Sequence, residues 1–75
     1  MPRYYFHVSN GSEETDDQGH RLAGVAQART EAVRYFGGLV RDDPGLLIEH
    51  GRLKVTVSSD DGCFRFAVVM TASAG

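Results

Sequence analysis

The sequence predicts an α+β fold, a two-layer sandwich in which one amphipathic helix lies on a mainly antiparallel sheet of three to four strands, in the order β-β-α-β-β. Three observations carry this. Apolar residues alternate at period two near the start, recur at period 3.6 in the middle, and alternate again in two segments joined by Asp60-Asp61-Gly62.

From Arg3 to Ser9, Tyr4, Phe6 and Val8 point one way and Arg3, Tyr5, His7 and Ser9 the other, as a strand with one buried face requires. Asn10-Gly11 accepts positive φ at both turn positions and should reverse the chain. The next segment, Ser12 to Asp16, is polar and acidic and fits a short, solvated edge strand before a turn at Asp17-Gln18-Gly19. From Val25 to Arg41, Val25, Ala28, Ala32, Phe36 and Leu39 share a stripe flanked by Tyr35 and Val40, opposite Gln27, Thr30, Glu31, Arg34 and Arg41. Gly24 stands where a capping Ser, Asp or Asn would accept a backbone hydrogen bond. Gly37-Gly38 lowers helix propensity, so the helix is expected to bend there or to meet another backbone closely. Asp43-Pro44-Gly45 ends it.

Leu46-Leu47-Ile48 fits either a helical turn or a strand fragment. Leu53, Val55 and Val57 then alternate with Lys54, Thr56 and Ser58, and Phe64, Phe66, Val68 and Met70 alternate with Cys63, Arg65, Ala67 and Val69. These two strands form a hairpin. A two-residue turn at Asp61-Gly62 pairs Val57 with Phe66, and a turn from Ser59 to Gly62 pairs it with Phe64. Both set apolar against apolar, so the register stays open at this point. The chain reads as one domain, residues 1–75, with residues 70–75 expected to form a flexible tail.

Composition narrows the function classes. The 75 residues are 41% hydrophobic, too apolar for a disordered chain, and no apolar run approaches a membrane span, so no membrane association is expected. A net charge of −2 argues against sequence-independent DNA binding. A lone cysteine, Cys63, and an opening without a signal-peptide pattern fit a reducing cytoplasm. His7, His20, His50 and Cys63 lack zinc-motif spacing, and the carboxylates Glu13, Glu14, Asp16 and Asp17 lack the order of a calcium loop. Cys63 lies near Asp60 and Asp61, which disfavour a nucleophilic thiolate, and no glycine-rich phosphate loop is present. No cofactor, no metal and no enzymatic activity are expected.

Two sets of residues are candidates for contact. If the strands carrying them are neighbours, the uncovered sheet face should display Arg3, Tyr5, His7, Lys54, Thr56 and Arg65, basic groups around one aromatic ring, as in some single-stranded RNA binders. Tyr35, Val40, Leu46 and Ile48 have no assured place in so small a core, and burying them against a second chain makes a homodimer the expectation.

The opening Met1-Pro2-Arg3-Tyr4-Tyr5-Phe6-His7, the step Asp16-x-x-Gly19-x-x-Leu22, the helix start Ala28-Arg29-x-Glu31-Ala32 and the strand and turn from Val55 to Gly62 together resemble a family of very short alphaproteobacterial proteins, catalogued only as a domain of unknown function. Members of that family tend to carry Pro-Asp at the step where this chain has Ala23-Gly24, a departure that touches the helix cap and not the fold. The resemblance implies a bacterial cytoplasmic protein and transfers no functional residues. A looser similarity in element order is to antitoxins of the HicB kind. The expected function is a small non-enzymatic interaction or regulatory module that self-associates and has room for a further protein partner. The alternative is a nucleic-acid-binding or antitoxin-like regulator using the uncovered sheet face.

Overall fold

The computed structural model describes residues 2–74, so Met1 of the opening motif and Gly75 of the expected tail lie outside it. Its elements are β1 (Arg3–Ser9), β2 (Glu13–Glu14), β3 (His20–Arg21), α1 (Val25–Asp42), α2 (Gly45–Ile48), β4 (Arg52–Ser59) and β5 (Arg65–Thr71). The sheet is five-stranded and antiparallel in the order β2-β1-β4-β5, with β3 also paired to β1. A single main helix on such a sheet is the predicted α+β architecture.

The core follows the two periodicities. Tyr4 and Val8 of β1 and Leu53, Val55 and Val57 of β4 are buried under Ala28, Ala32 and Phe36 of α1. The alanines let the helix lie close, and the branched residues of β4 fill the layer between. Two clusters result, one around Ala28, Ala32, Tyr4 and Val57, the other around Phe36, Val8, Leu53 and Val55, and Val68 of β5 packs against both.

Several expectations change in the details. The turn after β1 takes three residues, Asn10 to Ser12, with Gly11 at φ 107°. The acidic strand shrinks to Glu13–Glu14, and a second short pairing, β3, follows the loop. Leu46 to Ile48 is helical. The β4–β5 register pairs Val57 with Phe66, as a two-residue turn would, yet the loop spans four residues, Asp60 to Cys63. Side chains explain the wider loop. Ser59 Oγ donates to Asp61, whose carboxylate also accepts from Cys63 N, while Phe64 N donates to Ser59 Oγ. The Ser59 hydroxyl first, then the Cys63 amide, hold the Asp61 carboxyl below its ordinary pKa.

The helix starts without a side-chain cap at Gly24, as its sequence implies, although the Gln27 side chain accepts from Ala23 N at 2.7 Å. It runs unbroken past Gly37-Gly38, and a Cβ on either glycine would meet nothing within 4 Å. The close backbone neighbour expected there is absent among the described residues. The expected tail from residue 70 is also corrected: Met70 and Thr71 belong to β5, and Ala72 N donates to Gly51 O at 2.9 Å. Pairing reaches that far because β4 begins opposite, at Arg52.

Candidate functional site

The helix-free face of the sheet brings its predicted residues together. Strand register sets Tyr5 beside Ser58 and Arg65, His7 beside Thr56 and Ala67, and Ser9 beside Lys54 and Val69. Arg3 stands one step beyond, where its carbonyl accepts from Asp60 N at 2.9 Å. Thr56, central on this face, is buried, and Arg65 is exposed.

Two of these groups already have partners. The Arg3 guanidinium donates to Gln18 O, and His7 bridges two elements through both ring nitrogens. Asp16 N donates to His7 Nδ1 at 3.2 Å, which makes Nε2 the protonated nitrogen that meets Ser58 Oγ at 3.3 Å. The Arg3–Gln18 and His7–Asp16 contacts tie the face to the loop between β2 and β3.

That loop closes the outer edge of β1. Tyr4 pairs with His20, Val8 pairs with Glu14, and Leu22 N donates to Pro2 O. From Glu14 to His20 the chain takes six steps to pass the four from Val8 to Tyr4. The surplus residues bulge away at Phe6, and there Asp16 replaces a strand: its Oδ2 accepts from Phe6 N at 3.1 Å, while Oδ1 accepts from Gln18 N and Gly19 N. Partial burial works to raise the Asp16 pKa, but the Gly19, Gln18 and Phe6 amides and the nearby His20 outweigh it and hold the carboxyl below its ordinary value. The sequence signal for this role is an Asx turn ahead of a glycine, Asp16-Asp17-Gln18-Gly19.

Between this edge and α1 lies an open groove of about 540 Å³ whose lining includes Phe6, Leu22, Tyr35, Glu14 and Glu31. The Phe6 ring meets His20 and Tyr35 edge-on, at centroid distances of 5.8 and 6.1 Å. Glu31 is paired with Arg34 at 3.0 Å, and the Asp16 carboxylate accepts from the backbone of Phe6, Gln18 and Gly19. A second depression of about 550 Å³ lies at the far end of the sheet against Ser9, His50, Arg52 and Lys54. Among the described residues, no three His, Cys, Asp or Glu side chains converge as metal ligands would, and no helix is long and apolar enough to cross a membrane.

The four apolar candidates for self-association do not form one patch. Val40 and Leu46 pack, partly buried, against the cluster around Phe36, because α2 folds back under the end of α1. Tyr35 leans on Phe6 yet stays exposed, and Ile48 is 73% exposed.

A different apolar surface emerges at β5, which ends the sheet path. Phe66 to Met70 is an uninterrupted uncharged run, Val69 is 46% exposed, and Met70 is exposed too. Charge, proline or a bulge ordinarily guards such an edge; here Arg65 at its beginning is the one charged residue of the strand. That run was readable in the sequence, but its place at an edge was not.

Residues 3–72 match a family described as a domain of unknown function (DUF6894). No curated protein and no solved structure matches the chain.

Proposed function

Since the chain belongs to the DUF6894 family, whose function is not established, we propose that it works as a small non-enzymatic interaction module and that its first partner is itself. The observation that carries this reading is the outer edge of β5, apolar and, among the described residues, without a neighbouring strand. A row of free N–H and C=O groups on such an edge is a template for another strand. The bacterial cytoplasmic setting implied by the resemblance, and the lone Cys63, accord with this reading. The nucleic-acid alternative draws on Arg3, Tyr5, His7, Lys54, Thr56 and Arg65, but Arg3 and His7 already hold intramolecular partners.

Sedimentation equilibrium across a wide concentration range tests the reading. A reversible dimer is expected; a monomer at every concentration overturns it. For the alternative, single-stranded RNA affinity that falls steeply with salt and weakens by about 1 to 3 kcal/mol in Tyr5→Ala would reverse the preference.

A further inference from the structure

We propose that two copies of the chain pair through β5, antiparallel about a two-fold axis at Val68, so that one sheet runs through both molecules and Val33 of each helix seats against the partner's Gly37. This rests on the self-association reading above and names its surface and register.

The backbone comes first. Ser59 N donates to Phe64 O, Ala72 N donates to Gly51 O, and the register sets Val55 opposite Val68. In an antiparallel ladder, hydrogen-bonded pairs recur at every second residue. Phe66, Val68 and Met70 therefore turn their N–H and C=O toward β4, and Arg65, Ala67, Val69 and Thr71 turn theirs outward. A two-fold at Val68 sets Ala67 against the partner's Val69 and Arg65 against the partner's Thr71, satisfying all four outward residues. An axis at Ala67 leaves Thr71 without a strand residue opposite, and an axis at Val69 leaves Arg65 without one.

The side chains agree with that register. On the helix side, Phe66 meets the partner's Met70 and Val68 meets its own copy; on the other side, Ala67 meets the partner's Val69. Every one of these pairs is apolar. The two Arg65 side chains fall at opposite ends of the seam, so no like charges are brought together.

The helix supplies an independent argument. The Arg29 guanidinium lies over the Phe64 and Phe66 rings, 5.8 Å from each centroid, which places this flank of α1 beside the β5 edge. Residues four and eight positions on, Val33 and Gly37, share the flank. Val33 is 55% exposed, and a Cβ at Gly37 would meet nothing within 4 Å. Val68 packs against the clusters that hold Ala32 and Phe36, so Val33 and Gly37 bracket its level along the helix. A two-fold at Val68 then sets Val33 opposite the partner's Gly37. Because α1 lies over β4 and β5 and strands stand about 4.8 Å apart, the two helix axes come to about 10 Å, a normal packing distance. The glycine that the single chain leaves unexplained becomes the gap that receives a valine.

The test is sedimentation equilibrium of the full chain beside Val69→Pro and Gly37→Leu. Val69→Pro removes an N–H that points away from β4 and so leaves the internal ladder intact. Gly37→Leu fills space that is open in one copy and replaces a poor helix former with a good one. Each is expected to raise the dimer dissociation constant by about tenfold or more, with helical circular dichroism retained. Amide exchange at Ala67 and Val69 should slow as wild-type concentration rises, a readout that stands even if a variant fails to fold. A wild type monomeric at all concentrations overturns this pairing together with the reading beneath it. A wild-type dimer that both variants leave unchanged, or in which those amides gain no protection, overturns this pairing alone and moves self-association to another surface.

Discussion

The two long edges of the sheet are finished in opposite ways. Outside β1, Pro2, Tyr4, Phe6 and Val8 each meet a partner, supplied in turn by Leu22, β3, the Asp16 carboxylate and β2. Outside β5, Arg65, Ala67, Val69 and Thr71 face outward, with no further strand beyond them among the described residues. The closed edge is built from polar, irregular chain, and the open one from a regular apolar strand. An antiparallel sheet can be ended by its own chain or left bare, and among the described residues one edge is finished in each way.

The comparison predicts that substitutions at the β1 edge cost folding stability and those at the β5 edge do not. Gly19→Ala should have the largest effect. Gly19 sits at φ 72°, and a Cβ there would come within 2.8 Å of Tyr4 O and 2.9 Å of the Arg3 and Tyr5 side chains. A loss of about 3 kcal/mol in urea unfolding is expected; a neutral result would mean that the loop does not press on β1.

Asp16→Ala should come next, at about 2 kcal/mol, because three backbone N–H groups lose their acceptor. Asp16→Asn adds a pH signature. A carboxyl whose folded pKa lies below its ordinary 3.8 contributes stability above that value and loses it as pH falls through the folded value. The gap between wild type and Asp16→Asn should therefore be constant near neutrality and close below about pH 4. A gap that widens in acid would contradict the assigned hydrogen bonds.

On the β5 side, Gly37→Ala should stabilise the single chain by about 1 kcal/mol, since the helix is continuous there and the space is open. Thermal unfolding at low concentration measures this. Val69→Lys should be the smallest effect, within about 0.5 kcal/mol on folding of the single chain, although it places a charge on the bare edge. If Val69→Lys unfolds the protein as strongly as Asp16→Ala does, the contrast between the two edges fails.

Much of the fold was legible in the residues. Alternation in Arg3–Ser9 and in the two later strands identified which side chains share a face, and the stripe through Ala28, Ala32 and Phe36 located the helix that covers it. Other features had no local signature. His20–Arg21 is too short to show a period, and Asp16 looked like one more solvated carboxylate among four. Val40 and Leu46 seemed surplus because nothing in the sequence folds α2 back onto α1. The grouping of Arg3, Tyr5 and His7 with Lys54, Thr56 and Arg65 needed their strands to be neighbours, which the sequence left open and the sheet supplies, and the capture of Arg3 and His7 by the loop had no sequence signal.

By itself the sequence determined the α+β class, the element order, and which face of each long element is apolar. A period of 2 or 3.6 converts directly into a side-chain direction through local backbone geometry. The tertiary structure decided the hairpin register, the double closure of β1, the role of Asp16 and the exposure of β5. These depend on which distant backbone groups meet. A strand carries the same residues whether it ends up central, covered or bare, so only the assembled sheet distinguishes its two edges.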